Sequence, residues 1–74
     1  MEKSVSWLFL GDAYNKKKRY KNAIDAYKKS IETSPDFSLP RENIIRTYID
    51  AGRLHEAVQD FLEFNKIKKN TLNK

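Results

Sequence analysis

Shifted by 34 residues, this chain lies over itself. Ser4 falls on Ser38, Tyr14 on Tyr48, Arg19 on Arg53 and Ala23 on Ala57. These are the only four identities in the 40-residue overlap, but residue character agrees more widely: Leu10 meets Ile44, Tyr20 meets Leu54, Ile24 meets Val58 and Tyr27 meets Phe61. A period of this length signals a helical solenoid of two-helix units, each of which needs a neighbour to bury its apolar face. A length of 74 residues holds two such units and little more. A chain this short buries only ~60% of its unfolded surface, so its stability is marginal. The sequence has no cysteine, so no disulfide adds to it.

Apolar spacing assigns two helices to each unit. Ser4 is a candidate N-cap for a first helix carrying Val5, Trp7, Leu8, Phe9, Leu10, Ala13 and Tyr14, which wrap almost the whole cylinder. Tyr20, Ala23, Ile24, Tyr27 and Ile31 step by threes and fours along one face of a second helix. Ser34-Pro35-Asp36 ends it, because proline disfavours helical geometry in the residue before it. A third helix starts between Ser38 and Pro40, carries Ile44, Ile45, Tyr48 and Ile49, and stops at Gly52, a residue suited to the C′ position. The fourth carries Leu54, Ala57, Val58, Phe61, Leu62, Phe64 and Ile67, then frays into Lys68-Lys69-Asn70. Nothing alternates with a strand period. The expected class is therefore all-α: one domain over 1–74, four helices in antiparallel helix–turn–helix repeats, the first unit at 4–37, the second at 38–69 and a polar tail at 70–74.

The chemistry available is narrow. There is no cysteine nucleophile and no glycine-rich phosphate loop, and His55 is the single histidine, so neither a zinc site nor a paired acid–base centre is expected. Asp25, Asp50, Asp60 and Glu63 show no spacing that singles out a pair and are expected to solvate helix faces. Enzymatic activity, a cofactor and a metal are all unexpected. The net charge of +5 is spread over both halves and is densest at Lys16-Lys17-Lys18-Arg19 and Lys21. That cluster reads first as a solvated turn and second as a surface for nucleic acid, acidic lipid or acidic peptide. The longest apolar run, Trp7-Leu8-Phe9-Leu10, is far short of the ~18 residues of a membrane span. Glu2 before it and Asp12 after it fit a secretory signal poorly, and the expected address is cytoplasmic.

The pattern Trp7-x-x-Leu10-Gly11-x-x-Tyr14, then Ala23-x-x-x-Tyr27, Ser30 and Pro35, resembles the tetratricopeptide repeat. The second unit keeps Tyr48, Ala57 and Phe61, and departs with Arg41 for the tryptophan, Ile45 and Phe64 for small residues and Lys69 for the closing proline. Small Gly11 and Ala23 are expected to let two helices approach closely, with Trp7, Leu10, Tyr14 and Tyr27 filling the space around them. The stretch from Tyr48 to Ala57 also resembles the pentatricopeptide repeat, whose members bind single-stranded RNA. The basic charge agrees with that second reading. Its usual period is one residue longer, however, and Trp7, Leu10, Gly11 and Pro35 belong to the first pattern.

The tetratricopeptide resemblance implies a scaffold that holds a peptide or a partner helix in a concave groove lined by the first helix of each unit. Carried over by position, the groove would present Val5, Leu8, Phe9, Asp12 and Lys16, joined by Leu39, Glu42, Asn43, Arg46, Ile49 and Asp50. Lys16, Asn43 and Arg46 would donate to carbonyls or carboxylates, Asp12 and Glu42 would favour a basic group, and Leu8 and Phe9 would form an apolar pocket. Family members that clamp a chaperone's carboxyl terminus carry lysine and asparagine where this chain has Leu8 and Asp12, so a different ligand is expected. Arrays normally need about three units and a polar capping helix, and no such helix is expected after residue 67. The bare ends are therefore expected to be covered by continuation of the array or by a second copy in a symmetric dimer, with bulky Phe64 either ending the array or inserting into a partner.

Overall fold

The computed structural model describes residues 2–72, with side chains described over 3–67. Four helices follow one another: α1 Glu2–Lys16, α2 Tyr20–Thr33, α3 Leu39–Asp50 and α4 Leu54–Leu72. There is no strand among the described residues. α1 packs on α2 and α3 on α4 as two hairpins, and the hairpins join where α3 lies against α2. α4 runs three residues beyond the expected limit of the second unit, since Lys and Asn with no Gly or Pro give the helix no reason to stop. The last two residues of the expected tail, 73 and 74, lie outside the described residues.

Both hairpins turn in the same way. The Arg19 amide donates to the Tyr14 carbonyl at 2.9 Å and the Lys18 amide to Asn15 at 2.9 Å; 34 residues later Arg53 donates to Tyr48 at 2.8 Å and Gly52 to Ile49 at 3.0 Å. This is the Schellman closure of a helix end, and it demands a left-handed residue at C′. Gly52 meets the demand at φ 77°, whereas in the first hairpin Lys18 is held at φ 61°. The left-handed conformation costs a side-chain-bearing residue about 1 kcal/mol. Lys18→Gly is therefore expected to stabilise the fold by about 0.5–1 kcal/mol, and Gly52→Ala to destabilise it by about the same amount. A Cβ at Gly52 would meet no atom within 4 Å, so that change isolates the backbone cost. Thermal unfolding of the two variants checks this, and shifts of the same sign would refute it.

The start of the chain corrects one expectation. α1 begins at Glu2, and Ser4 is not its cap but a buried residue one turn inside. Its Oγ donates to the Ser30 carbonyl at 2.8 Å, while Ser30 Oγ donates to the Ser4 carbonyl at 2.7 Å and the two hydroxyls lie 2.9 Å apart. Two small side chains at this crossing let the backbones of α1 and α2 come close and satisfy each other's polar atoms. The second hairpin has Ser38 and Phe64 at the corresponding positions and packs more sparsely.

Gly11 marks a second close approach within the first hairpin, of the Tyr27 ring to the α1 backbone. A Cβ built there would lie 2.5 Å from Tyr27 Cε1 and 2.6 Å from Cδ1, inside any real contact distance. The core is continuous across both hairpins: Leu8, Ala23, Ile24 and Tyr27 meet Ile44, Tyr48 and Ala57, with Tyr14, Ile31, Phe37 and Ile45 packed around them. Trp7 and Leu10, expected to fill the space beside Gly11, are instead exposed on the outer side of α1. They keep 36% and 40% of their surface in solvent, and Tyr27 shares the intra-hairpin space with Leu8, Ala23, Ile24 and Tyr14.

Candidate functional site

Asp12 is the residue around which the inner face is built. It sits on α1, and its Oδ1 accepts from the Tyr27 hydroxyl of α2 at 2.5 Å and from Asn43 Nδ2 of α3 at 3.1 Å. One carboxylate oxygen thus ties three helices together. Tyr27 is almost wholly buried, and its phenol is held neutral well beyond the ordinary range, first by that burial and then by the hydrogen bond and negative charge of Asp12. Thr47 on α3 turns its hydroxyl to the Asn43 carbonyl at 2.8 Å, which keeps the α3 face beside Tyr27 supplied with polar partners.

Above Asp12 the two first helices leave an open trough of about 580 Å³, lined by Phe9, Asp12, Ala13, Asn15 and Lys16 of α1 and by Asn43 and Arg46 of α3. Five residues assigned to the groove by sequence position are therefore brought together: Phe9, Asp12, Lys16, Asn43 and Arg46. Leu8 is not among them. It is buried in the core, so the apolar contribution to the trough comes from Phe9 and the small Ala13. Asp12 and Asn43 reach the trough already bonded to each other, which leaves Lys16 and Arg46 as its exposed cations.

Glu42 and Ile49 turn elsewhere, lining with Ile45, Arg46, Phe61 and Phe64 a second recess of about 290 Å³ at the α3–α4 end of the stack. Val5 is half-buried, and Leu39 and Asp50 are exposed at the two ends of α3 outside both recesses.

Ala13 and Asn15 line the trough without having been singled out by sequence position. Asn15 is the more informative of the two, because its side-chain oxygen is buried and accepts no hydrogen bond. Its place three residues after Asp12 puts it one turn along the same face of α1, and that helical spacing was the available signal.

A third recess, of about 400 Å³, lies on the other side of the fold between α2 and α4, over Ile31, Ile44 and Phe64. Charges of both signs rim it, Lys28 and Arg41 against Glu32, Asp60 and Glu63. Burial raises the Asp60 carboxyl above its ordinary range, with Lys28 and Arg41 acting in the opposite direction. Among the described residues no group of three or more acidic or histidine side chains converges to hold a metal, and no helix is long and apolar enough to cross a membrane. Of the basic cluster, Lys16 lines the trough, while Lys17 to Arg19 and Lys21 lie exposed around the α1–α2 turn outside its lining.

A family model for the tetratricopeptide repeat matches residues 4–37, the first hairpin and the loop that follows it. No curated protein and no solved structure matches the chain.

Proposed function

From a chain that carries a tetratricopeptide repeat at residues 4–37, we propose a protein-interaction scaffold whose α1–α3 trough holds an extended peptide. Tetratricopeptide repeats mediate protein–protein interaction in general, and the trough is where this chain has polar groups to spare. The observation that carries the reading is the trough itself, about 580 Å³ with exposed Phe9, Lys16 and Arg46 beside the bonded Asp12–Asn43 pair. Lys16 and Arg46 stand ready for the peptide's carbonyl oxygens or an acidic side chain, and Phe9 offers an apolar contact beside them. Asp12 has a different part. Bonded through Oδ1 to Tyr27 and Asn43, it shapes the wall, and its Oδ2 is the acceptor for a basic group of the partner. Exposed apolar faces at both ends of the stack also favour self-association.

The test is to pan a random-peptide phage library on the wild-type chain and counter-screen on a Lys16→Ala, Arg46→Ala double variant. Enriched peptides are expected to bind the double variant at least about tenfold more weakly, since two charge-assisted hydrogen bonds are lost. A single-stranded RNA oligonucleotide is the second probe. The proposal fails if no peptide distinguishes wild type from the double variant. It also fails if the RNA binds tightly with a steep salt dependence that Lys17→Glu, Lys18→Glu abolishes, because that pattern belongs to phosphate recognition at the basic turn.

A further inference from the structure

The two ends of the stack carry the two halves of a joint that the chain already makes once inside itself. Within the chain, α3 seats on α2. Residue pairs related by the 34-residue shift show what that seating covers. Ile24 of α2 is 5% exposed, but its counterpart Val58 on α4 is 56% exposed. Tyr27 is 1% exposed and its counterpart Phe61 49%. The reverse holds for the first helices: Ile44 of α3 is 4% exposed, while Leu10 on α1 is 40%. Ala23 and Ala57 are buried alike, because they pack within their own hairpins. So α4 presents an empty copy of the seat, and α1 an unused copy of the face that fits it.

The substitutions between the internal joint and the open ends are matched. Inside, the seat carries a polar pair, Asp12 and the Tyr27 hydroxyl, and the incoming helix answers with Asn43 and Thr47. At the open seat that pair becomes Arg46 and Phe61, beside Ile49 and Phe64 around a recess of about 290 Å³. On the free face of α1 the answering residues become Phe9 and Ala13. The phenol hydroxyl and the threonine hydroxyl are both gone, and the carboxylate–amide pair is replaced by a guanidinium and an aromatic ring. Had only one side lost its polar atoms, the other would be left with buried groups unpaired. Here both sides change together, and an arginine against a phenylalanine face is itself attractive.

We propose that the chain binds a second copy of itself head to tail, α1 of one molecule seating Phe9, Leu10 and Ala13 on the α3–α4 end of the next. The contact is heterologous, so each added molecule exposes a fresh seat and the stack continues as a solenoid rather than closing as a symmetric dimer. Phe9, Ala13 and Arg46 also line the α1–α3 trough, so this association competes with peptide binding there, and it is tested on the chain alone.

Sedimentation of the purified chain tests it, with Leu10→Glu to spoil the inserting face and Phe61→Glu to spoil the seat. Both positions are exposed in the single molecule, and circular dichroism checks that each variant stays helical. The wild type is expected to sediment faster as concentration rises and to pass beyond the dimer. Each variant alone is expected to remain monomeric. Mixed in equal amounts, they are expected to form a 1:1 complex and stop there, because the Leu10→Glu molecule keeps a working seat and the Phe61→Glu molecule a working inserting face. Phe9→Leu, which keeps apolar area but removes the ring, is expected to weaken association about two- to fivefold. A wild type that stays monomeric up to submillimolar concentration overturns the proposal and leaves the seat to a different occupant. A wild type that stops at the dimer, or variants that fail to complement each other, overturns it in favour of a symmetric contact or none.

Discussion

Replacing Gly11 with alanine is expected to lower the unfolding free energy by about 2 kcal/mol, although alanine is the better helix former. In an exposed helix the change would gain about 1 kcal/mol from propensity. Here the new methyl lands 2.5–2.9 Å from three ring atoms of Tyr27. The ring has nowhere to retreat, being buried on its other side and held at its hydroxyl by Asp12. The hairpin must open instead, which also strains the Ser4–Ser30 pair about two turns away between the same two helices. Overpacking of this kind costs typically 1–3 kcal/mol and occasionally more, enough to outweigh the propensity gain. At about 4–8 °C per kcal/mol for a domain of this size, the melting temperature should fall by roughly 8–16 °C. Tyr27→Leu provides the control: in that background Gly11→Ala should no longer destabilise and should recover up to about 1 kcal/mol of propensity gain. A higher melting temperature for Gly11→Ala alone would show that the close approach is not real.

The second large effect compares two aromatic residues that the 34-residue shift superposes. Tyr27→Ala is expected to cost about 3–5 kcal/mol, the usual loss for deleting a buried aromatic side chain. A chain of 74 residues has only about 4–11 kcal/mol of stability in all, so this variant should lose between about a quarter and the whole of it. Phe61→Ala, made at the equivalent position of the second hairpin, is expected to cost less than about 1 kcal/mol in the dilute, monomeric chain, since half of that side chain is already in water. Urea denaturation at low protein concentration measures both. Equal costs would mean that the open end of the stack is closed in solution by the chain itself, and the picture of an unused seat on α4 would have to be abandoned.

How far the candidate site was legible follows from where its residues get their positions. Phe9, Asp12 and Lys16 step by three and four along α1, and Asn43 and Arg46 do the same on α3, so helical spacing alone placed each group on one face. Leu8 was misplaced for the same reason: at the margin of that face, a turn of a few tens of degrees separates trough from core, and only the approach of α2 and α3 decides which. Asn15 lies on the right face, but its unpaired oxygen is a matter of which donors fail to arrive, and spacing carries no record of that. Ser4 shows a different failure. Serine before an apolar run is the ordinary mark of a helix start, and nothing local reveals that a second serine 26 residues away will meet it inside the fold.

Order along the chain determined the helices, the turn at Gly52, the repeat and the hairpin partners, because these depend on neighbours within a few residues and on a periodicity that can be counted. Lys18 was legible in the same way, through its superposition on Gly52. Tertiary structure alone decided which of two equivalent faces is covered. Ile24 and Val58, or Tyr27 and Phe61, are nearly interchangeable as residues. One of each pair is buried and the other open because a helix lies over the first and none over the second, and burial is a property of what packs against a side chain rather than of the side chain itself.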